Sequence, residues 1–441
     1  MVEPRKASST VTFIDNYCAV YRDLFGDVRS FEAFKYLHLG MVSDLPRKSL
    51  PAIARAVGST SDQVFHHCLT ESPWSVEALR NRRLALILQQ LKGQSITLVI
   101  DETGDRKKGN TTDYVARQYI GNLGKIESGI VSVNAYGIVG QLTFPLLFKI
   151  FKPKHRLKPG EVYQTKLQLA QSIIEELVEL GFKIELVLAD SLYGESHPFV
   201  GFLDRLKLPW VVAIRSNHGV WMPEEAEITY SDWQGFERVF SDGTTEQRFI
   251  QETIFGRRLQ WRYWLLTNDP TTLPKNSTWS VMSHLDEQRD HFDQIGNLYG
   301  LRTWIEYGFK QCKDKLGWAD YRVTHYAQIE RWWEIVSSAY LMVSLQFYRL
   351  SSDNDALEEP LLKKLREHSC WQSSSNWTSR FRNLQLLIQP YICFCLLKSW
   401  LAVFEIPQLE IGFSRLIAIL NQFLGWQNHD RFAESDYFSS A

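Results

Sequence analysis

The chain contains two short apolar runs, rich in β-branched residues, that each end in an aspartate. Residues 95–104 read SITLVIDETG, in which Asp101 is the first acid, and residues 183–190 read KIELVLAD, which ends at Asp190. Continuous runs of this kind are typical of central strands that are covered on both faces of a sheet. If the two strands are neighbours, both carboxylates lie at the same edge. A single strand-terminal aspartate often only caps a turn, but two matching examples favour a shared site.

The pattern around these runs predicts a mixed α/β fold. The elements expected after the first run are extended segments around residues 115–120, 129–137 and 142–149, a helix over 163–180 and a strand over 210–214. Helical periodicity dominates at both ends of the chain. The sequence therefore indicates an α/β core between two helical regions.

Between about residues 215 and 295 the periodicity changes to two. Leu259, Trp261, Tyr263 and Leu265 alternate with more polar positions, and Asp242-Gly243 is a turn signal. Alternation of this kind predicts half-buried antiparallel strands. We expect a β-rich insertion here.

Composition limits the class of protein. The 441 residues carry 49 Lys+Arg and 50 Asp+Glu, so the net charge is −1, and any binding to nucleic acid must come from local basic patches. Six cysteines without a C-x-x-C pair favour a reduced, cytoplasmic protein with no cysteine-based metal site. The start, MVEPRKASS, lacks the apolar stretch of a secretory signal. The most membrane-like run, residues 384–404, contains Pro390 and Lys398 and is interpreted as a buried helical pair.

A third acid lies in a stretch of helical spacing, residues 299–313, which reads YGLRTWIEYGFKQCK. On one helix at about 100° per residue, a narrow stripe holds a phenol, two cations and a carboxylate. These residues are Tyr299, Arg302, Glu306 and Lys313. An apolar stripe beside them would pack on the sheet. A solvated charged face is the usual alternative, but it does not require a tyrosine and an arginine beside one glutamate.

The spacing of these four residues, Y-x2-R-x3-E-x6-K, resembles the signature of bacterial insertion-sequence DDE transposases of the cut-and-paste type. Asp101 and Asp190 match the two earlier acids of that family. The resemblance covers roughly residues 95–340 and includes a β-rich insertion before the glutamate. It implies an RNase H-like (retroviral-integrase-like) catalytic core, and a DNA transposase that cleaves at the terminal inverted repeats of its element and transfers the 3′ ends to target DNA.

The resemblance also implies the chemistry of the site. Asp101, Asp190 and Glu306 would be both the catalytic residues and the ligands of two divalent ions, Mg²⁺ with Mn²⁺ as a substitute. Arg302 and Lys313 would neutralise phosphates, and Tyr299 would contact the DNA backbone. Such transposases usually work as homodimers on paired ends, in the cytoplasm and on the nucleoid when bound to DNA. The helical tail, residues 362–426, would supply the dimer contact or simply pack in the core.

With this resemblance the chain divides into five regions. We expect a helical N-terminal DNA-binding domain over 1–94, the first part of the catalytic core over 95–215, the β-rich insertion over 216–295, the final core helices over 296–350 and a helical C-terminal region over 351–441. Within the first region, residues 48–69 have the pattern of a helix-turn-helix, although two core helices joined by a capped turn fit equally well.

Other residues are candidates for contact with DNA. Basic side chains follow the first aspartate at Arg106, Lys107 and Lys108, and others stand at Lys154 and Arg156. Each group could equally be an ordinary solvated loop. Five tryptophans of the insertion could include one that stacks on a flipped base, although most are expected in the core. They are Trp221, Trp233, Trp261, Trp264 and Trp279.

Two other functions fit the same acids. One is a nuclease of the same fold that cuts DNA without strand transfer. The other is a domesticated DNA-binding protein that keeps the scaffold and has lost catalysis. The sequence contains neither G-x-S-x-G nor G-x-x-x-x-G-K-[ST], which disfavours a serine hydrolase and a P-loop ATPase.

Overall fold

The computed structural model describes most of the chain, in seven stretches. These are residues 5–59, 61–140, 142–240, 244–285, 292–350, 360–374 and 376–423. The chain forms two compact units, one from its two ends, Met1–Leu86 and Gln311–Ala441, and one from its middle, Ile87–Lys310. The expected turn at Asp242-Gly243 lies outside the described residues.

Five helices precede the first strand. They are α1 (Thr12–Ala19), α2 (Val28–Val42), α3 (Leu50–Ala56), α4 (Gln63–Thr70) and α5 (Val76–Leu91). Helix α2 is buried along most of its length, and its N-terminus is capped by Asp27, which accepts a hydrogen bond from the Ser30 N–H at 2.9 Å. Such a cap satisfies a backbone donor that the helix itself cannot pair.

Helices α3 and α4 form the segment with helix-turn-helix spacing. Helix α3 ends before Gly58, whose φ of +69° is a conformation that glycine adopts at little steric cost. The Ser61 hydroxyl accepts a hydrogen bond from the Gln63 N–H at 3.1 Å where α4 begins. Helix α4 buries Phe65, Cys68 and Leu69, so its opposite face is exposed.

The first described part of the middle unit contains strands and three helices. In chain order they are β1 (Ile96–Arg106), β2 (Ala116–Ile120), β3 (Lys125–Val139), β4 (Leu142–Ile150), α6 (Lys166–Glu179), β5 (Ile184–Ala189), α7 (Ser191–Gly194), α8 (His197–Arg205) and β6 (Trp210–Ile214). The strand order is β4-β3-β1-β5-β6: β4, β3 and β1 are antiparallel neighbours, and β1, β5 and β6 run parallel. Strand β2 pairs with another part of β3.

The five strands that follow extend the same sheet. They are β7 (Ile228–Tyr230), β8 (Gln234–Val239), β9 (Thr245–Phe255), β10 (Arg262–Thr267) and β11 (Thr278–His284). All their pairings are antiparallel, and β11 joins them to the core by pairing with β6. The described strands thus form one eleven-stranded mixed sheet.

Two short helices complete the middle unit, α9 (Phe292–Gly300) and α10 (Thr303–Lys310). They bury Ile295 and Ile305 in a cluster with sheet residues such as Val99. Helix α10 approaches the sheet closely at Gly308, where a Cβ atom would lie 2.5 Å from Cε1 of Tyr136. A larger residue there would push the helix away from the sheet, so this glycine allows α10 to pack closely on the sheet.

The last four helices belong to the end unit. They are α11 (Tyr326–Leu350), α12 (Pro360–Arg366), α13 (Trp377–Leu401) and α14 (Pro407–Phe423). Helix α11 is tied to the N-terminal helices by a fully buried ion pair between Glu334 and Arg83 and by the Tyr17 hydroxyl, which donates to the Ser338 carbonyl at 2.8 Å. Both ends of the chain therefore share one core.

The predicted helical pair over residues 384–404 is wrong. Helix α13 is a single helix that continues through Pro390, and the end of the run is exposed, with Trp400 at 64%. A proline removes one hydrogen bond, and here helical bonding on both sides of it keeps the helix continuous. Among the described residues, α13 is the one helix long and apolar enough to cross a membrane, and length and composition alone are weak support for a span.

Candidate active site

The two aspartates lie at one edge of the sheet. The parallel pairing of β1 with β5 ends at Ile100 and Ala189, so Asp101 and Asp190 each follow the last paired residue. The sequence indicated that the first strand ends at Asp101. Strand β1 instead continues to Arg106, because it stays paired with β3 that far. The Asp190 carboxylate accepts a hydrogen bond from the Leu192 N–H at 2.9 Å, which fixes it at the start of α7.

Burial makes both carboxylates hard to ionise. It is the main cause that raises the pKa of Asp101 to about 7, and repulsion from Asp190 adds to it. The pKa of Asp190 is also raised, again chiefly by burial. The Arg302 guanidinium opposes both shifts. Two acids that resist ionisation side by side form a site that gains from a bound cation.

The third part of the site lies where α9 meets α10. The prediction of one continuous helix over residues 299–313 is wrong, because the chain makes a tight turn at Leu301 and Arg302. The Arg302 N–H donates to the Tyr299 carbonyl at 3.1 Å, and the Thr303 hydroxyl donates to the Gly300 carbonyl at 2.9 Å. These are i to i−3 contacts, which are tighter than those of an α-helix.

The turn places three of the four signature residues in the middle unit. Tyr299 is 9% exposed, and its ring centroid lies 6.0 Å from the Arg302 guanidinium carbon. Glu306 is in the first turn of α10. Lys313 lies further on, in the π-helical segment Gln311–Lys315, which belongs to the end unit. The single stripe expected for all four residues is therefore interrupted twice, by the turn and by the π-helix.

Arg302 connects two of the acids. One terminal nitrogen lies 3.4 Å from Oδ2 of Asp101, and the other lies 3.2 Å from Oε1 of Glu306. Its charge also interacts with Asp190. Burial alone would lower the pKa of Arg302, but Tyr299 and the carboxylates outweigh burial and raise it. The guanidinium is thus the positive centre of the acid cluster.

The donor set fits a hard cation in part. Asp101 and Asp190 offer carboxylate oxygens, which suit Mg²⁺ or Mn²⁺. The side chain of Glu306 is 56% exposed and faces Arg302. Among the described residues no group of three His, Cys, Asp or Glu side chains is close enough to hold a metal. The two aspartates supply carboxylate oxygens at adjacent strand ends, whereas the Glu306 carboxylate is paired with Arg302.

Lys166 and Tyr193 also belong to this region, and no sequence signal singles them out. Because β1 continues past Asp101, Glu102 alternates to the other face, where Oε1 accepts a hydrogen bond from Lys166 Nζ at 2.8 Å. Burial raises the pKa of Glu102, and Lys166 opposes the shift. Within the described structure, Glu102 Oε2 and the Tyr193 hydroxyl are buried without a hydrogen-bond partner. Lys166 lies within the capping box of Thr165 and Gln168 that begins α6, a signal that marks the helix and not the ion pair.

The basic residues expected at DNA lie in two places, at the end of β1 with the residues that follow it and in the short 3₁₀ helix Lys154–Arg156. Arg106 is exposed and lies 3.7 Å from Glu127. Lys107 is half-buried, and Lys108 is exposed. Arg156 donates to the backbone carbonyls of Asn110 and Thr112, at 2.9 and 3.1 Å. Arg156 therefore joins these two segments.

Lys154 differs from its neighbour Arg156. It is exposed, and its ammonium lies 4.8 Å from the ring centroid of Tyr163. An aromatic ring restricts the lysine stem without consuming its hydrogen-bond donors. Lys154 thus keeps a charge at the surface that a phosphate can reach.

The tryptophans of the insertion have different environments. Trp264 is 2% exposed and donates to the Ser283 hydroxyl at 2.8 Å. Trp261 donates to Asp204 at 3.0 Å, and Trp279 lies beneath the Arg248 guanidinium. Trp221 is 91% exposed, the largest exposed fraction among the described large apolar residues. Trp264 is thus a core residue, whereas Trp221 has a free ring face at the surface.

Comparison with known proteins gives three matches. A family model described as DDE superfamily endonuclease matches residues 23–238, and one described as Transposase DDE domain matches residues 157–342. The probable transposase for insertion sequence element IS701 from Microchaete diplosiphon is 57% identical over 331 residues, which are 75% of this chain and 87% of that protein. The matched ranges together include both aspartates and Glu306.

Proposed function

The chain belongs to the DDE transposases of insertion sequences, and we propose that it binds the terminal inverted repeats of its own element, cleaves DNA there and transfers the 3′ ends to target DNA. The observation that carries this proposal is the acid pair at adjacent strand ends, Asp101 and Asp190, linked through Arg302 to Glu306. Acids so arranged suit metal-assisted attack on a phosphodiester.

The strand order supports an RNase H-like core within the sheet. That fold has three antiparallel strands followed by two strands parallel to the first, with acids at the ends of the central ones. The order β4-β3-β1-β5-β6 has these directions. On this proposal, β7 to β11 are the β-rich insertion and α9 and α10 complete the core.

Mg²⁺, or Mn²⁺ in its place, is the proposed cofactor, with two ions per active site. When bound, the ions would activate the attacking oxygen and stabilise the leaving oxygen. Asp101 and Asp190 would hold them, with Glu306 completing the set. The chain's own cations would then bind the DNA, since arginine pairs well with two phosphate oxygens. Arg302 is proposed for the scissile region with Tyr299 beside it, and Lys313 is proposed to neutralise a phosphate.

The proposed path of the DNA continues over the two basic segments. Arg106, Lys107, Lys108 and Lys154 would contact phosphates. Arg156 is better explained as a link between the segments, and its contribution to DNA binding would be indirect. The net charge of the molecule is −1, so binding would depend on these local contacts. Contacts with phosphates would make binding steeply dependent on salt.

End recognition is proposed for α3 and α4. Helix α4 exposes Gln63, His66 and His67 on the side opposite its buried residues. In a helix-turn-helix the second helix enters the major groove, where such side chains can donate and accept hydrogen bonds from base edges. The surface of α4 therefore suits sequence-specific contact.

We propose that the active form is a homodimer held by the C-terminal hairpin, which we define as residues 396–419 of α13, α14 and the turn between them. Nine large apolar side chains in it are between 38% and 71% exposed. They are Leu396, Trp400, Val403, Phe404, Ile406, Leu409, Ile411, Leu416 and Ile419. The hairpin carries two cations and two acids, Lys398, Arg415, Glu405 and Glu410. A second copy related by a twofold axis would match these charges and cover the apolar face.

A second candidate function follows from the position of Glu306. Because its carboxylate lies beside Arg302 and is exposed, a DNA-binding protein that has lost catalysis is compatible with the site. A joining assay with pre-cut ends distinguishes the transposase from a nuclease that lacks strand transfer. Joined product favours the transposase, cleavage alone favours the nuclease, and binding without either favours the non-catalytic protein.

The main test replaces each acid singly by its amide, in the variants Asp101→Asn, Asp190→Asn and Glu306→Gln. Each is expected to lower Mg²⁺-dependent cleavage of terminal repeats by about 10³-fold or more, because an amide is a poor ligand for the ion. Binding of the same DNA should change little. Glu224→Gln, at an exposed acid, is the control for general charge effects. Full cleavage by all three variants would refute the proposed chemistry.

A further inference from the structure

The Arg302 guanidinium lies where a cation shared by the acids would have to act. Its two terminal nitrogens point to different carboxylates, at 3.4 Å from Asp101 and 3.2 Å from Glu306. The same charge interacts with Asp190 from a greater distance. One side chain thus supplies positive charge to all three acids that are proposed to hold metal.

The surroundings of Arg302 make these contacts more than a surface ion pair. Its side chain is 20% exposed and that of Asp101 is 13% exposed. The Nε atom is buried and has no hydrogen-bond partner among the described residues, so the position of the group is set by the carboxylates and by the Tyr299 ring. A buried carboxylate left without its partner is strongly destabilised.

The contact with Glu306 is the weaker of the two. The Glu306 side chain is 56% exposed, and water competes for its carboxylate. The residues are four apart across the turn that begins α10. The Arg302 side chain can therefore release Glu306 at little cost, whereas release of Asp101 requires another cation to take its place.

We propose that Arg302 is the resident counter-ion of the acid site, and that a divalent ion binds Asp101 and Glu306 only as the guanidinium withdraws from them. This inference rests on the proposed metal-dependent function. Two cations cannot both neutralise the same carboxylate oxygens, so each disfavours the other. Once withdrawn, the guanidinium has its full set of donors free for a phosphate of the DNA.

The test measures binding of Mn²⁺ alone to the full chain without DNA, by electron paramagnetic resonance. Arg302→Met removes the charge and keeps much of the apolar stem. We expect this variant to bind Mn²⁺ about tenfold more tightly than the wild type, in the range usual for coupled sites. Arg302→Lys keeps a charge that cannot bridge two carboxylates, so its affinity should lie between the two. Equal or weaker binding by Arg302→Met would overturn the proposal.

Thermal unfolding gives a second readout. With EDTA, Arg302→Met should unfold at a lower temperature than the wild type, because two carboxylates lose their counter-ion. Saturating Mn²⁺ should raise its unfolding temperature more than that of the wild type. If Arg302→Met does not fold, Arg302→Lys is measured in the same way, and a Mn²⁺ affinity no higher than the wild type's counts against the proposal.

A separate variant distinguishes this inference from the proposed function. Asp101→Asn should lose most of the affinity for Mn²⁺, since it removes a ligand whether or not Arg302 competes. If Asp101→Asn binds Mn²⁺ as tightly as the wild type, the metal site itself is wrong. If it loses the ion but Arg302→Met gains no affinity, the metal site stands and the counter-ion role is wrong.

Discussion

At the residue scale, the site brings two acids into a buried position where their ionisation is unfavourable. Asp101 and Asp190 follow the last paired residues of parallel strands, so the sheet itself forces their carboxylates together. Burial and mutual repulsion raise the pKa of Asp101 to about 7. Arg302 offsets part of this cost. On the proposed function, a bound cation would lower the cost of ionising both carboxylates.

The raised pKa of Asp101 predicts how stability depends on pH without metal. The folded form binds a proton below about pH 7, whereas the unfolded carboxyl releases it near 3.8. The folded state therefore binds more protons between these values, and Asp101 lowers stability as pH rises through this window. The variant Asp101→Asn stays neutral. In EDTA at pH 8 it should be more stable than the wild type by about 2–4 kcal/mol, measured by urea unfolding.

The same comparison at low pH supplies the control. At pH 4.5 the wild-type carboxyl is largely protonated in the folded state, so the two proteins should differ much less. Equal slopes of stability against pH for wild type and variant between pH 5 and 8 would show that Asp101 does not titrate in this window.

The sequence predicts the positions of some site residues but not of others. Asp101 and Asp190 could each be placed after a buried run because strand runs are local patterns, whereas the parallel pairing of the two strands is a tertiary feature. Glu102 could be assigned to the opposite face by alternation alone. Its partner Lys166 lies 64 positions away and carries no motif, so their ion pair is a product of tertiary packing.

At the element scale, the junction of α9 and α10 decides the geometry of the site. A helical wheel assumes a constant angle per residue, and that assumption fails at the turn formed by Leu301 and Arg302. Gly300 lies against Arg238, with 3.2 Å from the place of its missing Cβ to Nε of that residue. Contacts of this kind depend on a strand far away in sequence, so local periodicity cannot anticipate them.

The mixed α/β class was predictable for a different reason. Runs such as residues 98–100 and 186–189 are apolar at every position because both faces of their strands are covered, and this leaves a local signature. Pro390 shows the opposite case. A proline usually ends a helix, but the helical bonding on both sides of Pro390 holds α13 together, and the sequence around it does not reveal this.

Helix α4 offers a prediction on DNA recognition. The variants Gln63→Ala and His67→Ala remove exposed polar side chains from α4 and leave its buried face intact. Each is expected to weaken binding of terminal repeats by about 5- to 100-fold, because a specific base contact contributes about 1–3 kcal/mol. Binding of unrelated duplex DNA should not change. The measurement is fluorescence anisotropy with both DNAs.

The control for α4 is Gln389→Ala, which removes an exposed glutamine from α13. It should bind terminal repeats as the wild type does. If the α4 variants weaken both DNAs equally, the helix contacts phosphates without reading bases, and if they weaken neither, α3 and α4 are core helices joined by a capped turn.

At the scale of the whole molecule, one continuous sheet joins the acid site to the antiparallel strands β7 to β11. Strand β11 pairs with β6, which in turn pairs with β5, so the insertion is hydrogen-bonded to the strand that precedes Asp190. Trp279 of β11 is therefore connected to the strand before Asp190 by continuous backbone pairing, whereas Trp221 lies in the loop between β6 and β7.

The C-terminal hairpin makes a prediction about assembly. Nine apolar side chains within residues 396–419 are partly exposed, and concentrated apolar exposure is typical of interaction surfaces. Trp400→Glu and Phe404→Glu place a charge at the most exposed aromatic positions of the hairpin. We expect the wild type to sediment as a dimer, with twice the chain mass of 51.3 kDa, and each variant to dissociate at least about tenfold more readily.

Trp221→Glu is the matched control for this experiment, because it introduces the same charge at an exposed tryptophan of the middle unit. It should sediment as the wild type does. A wild type that stays monomeric up to high concentration would contradict the dimer, and binding of the hairpin to neutral phospholipid vesicles, lost in Trp400→Glu, would assign the apolar face to a membrane instead. A dimer that persists in both hairpin variants would place the interface elsewhere. If the proposed dimer acts on two ends together, dissociation by either variant should lower joining of paired ends more than cleavage of a single end.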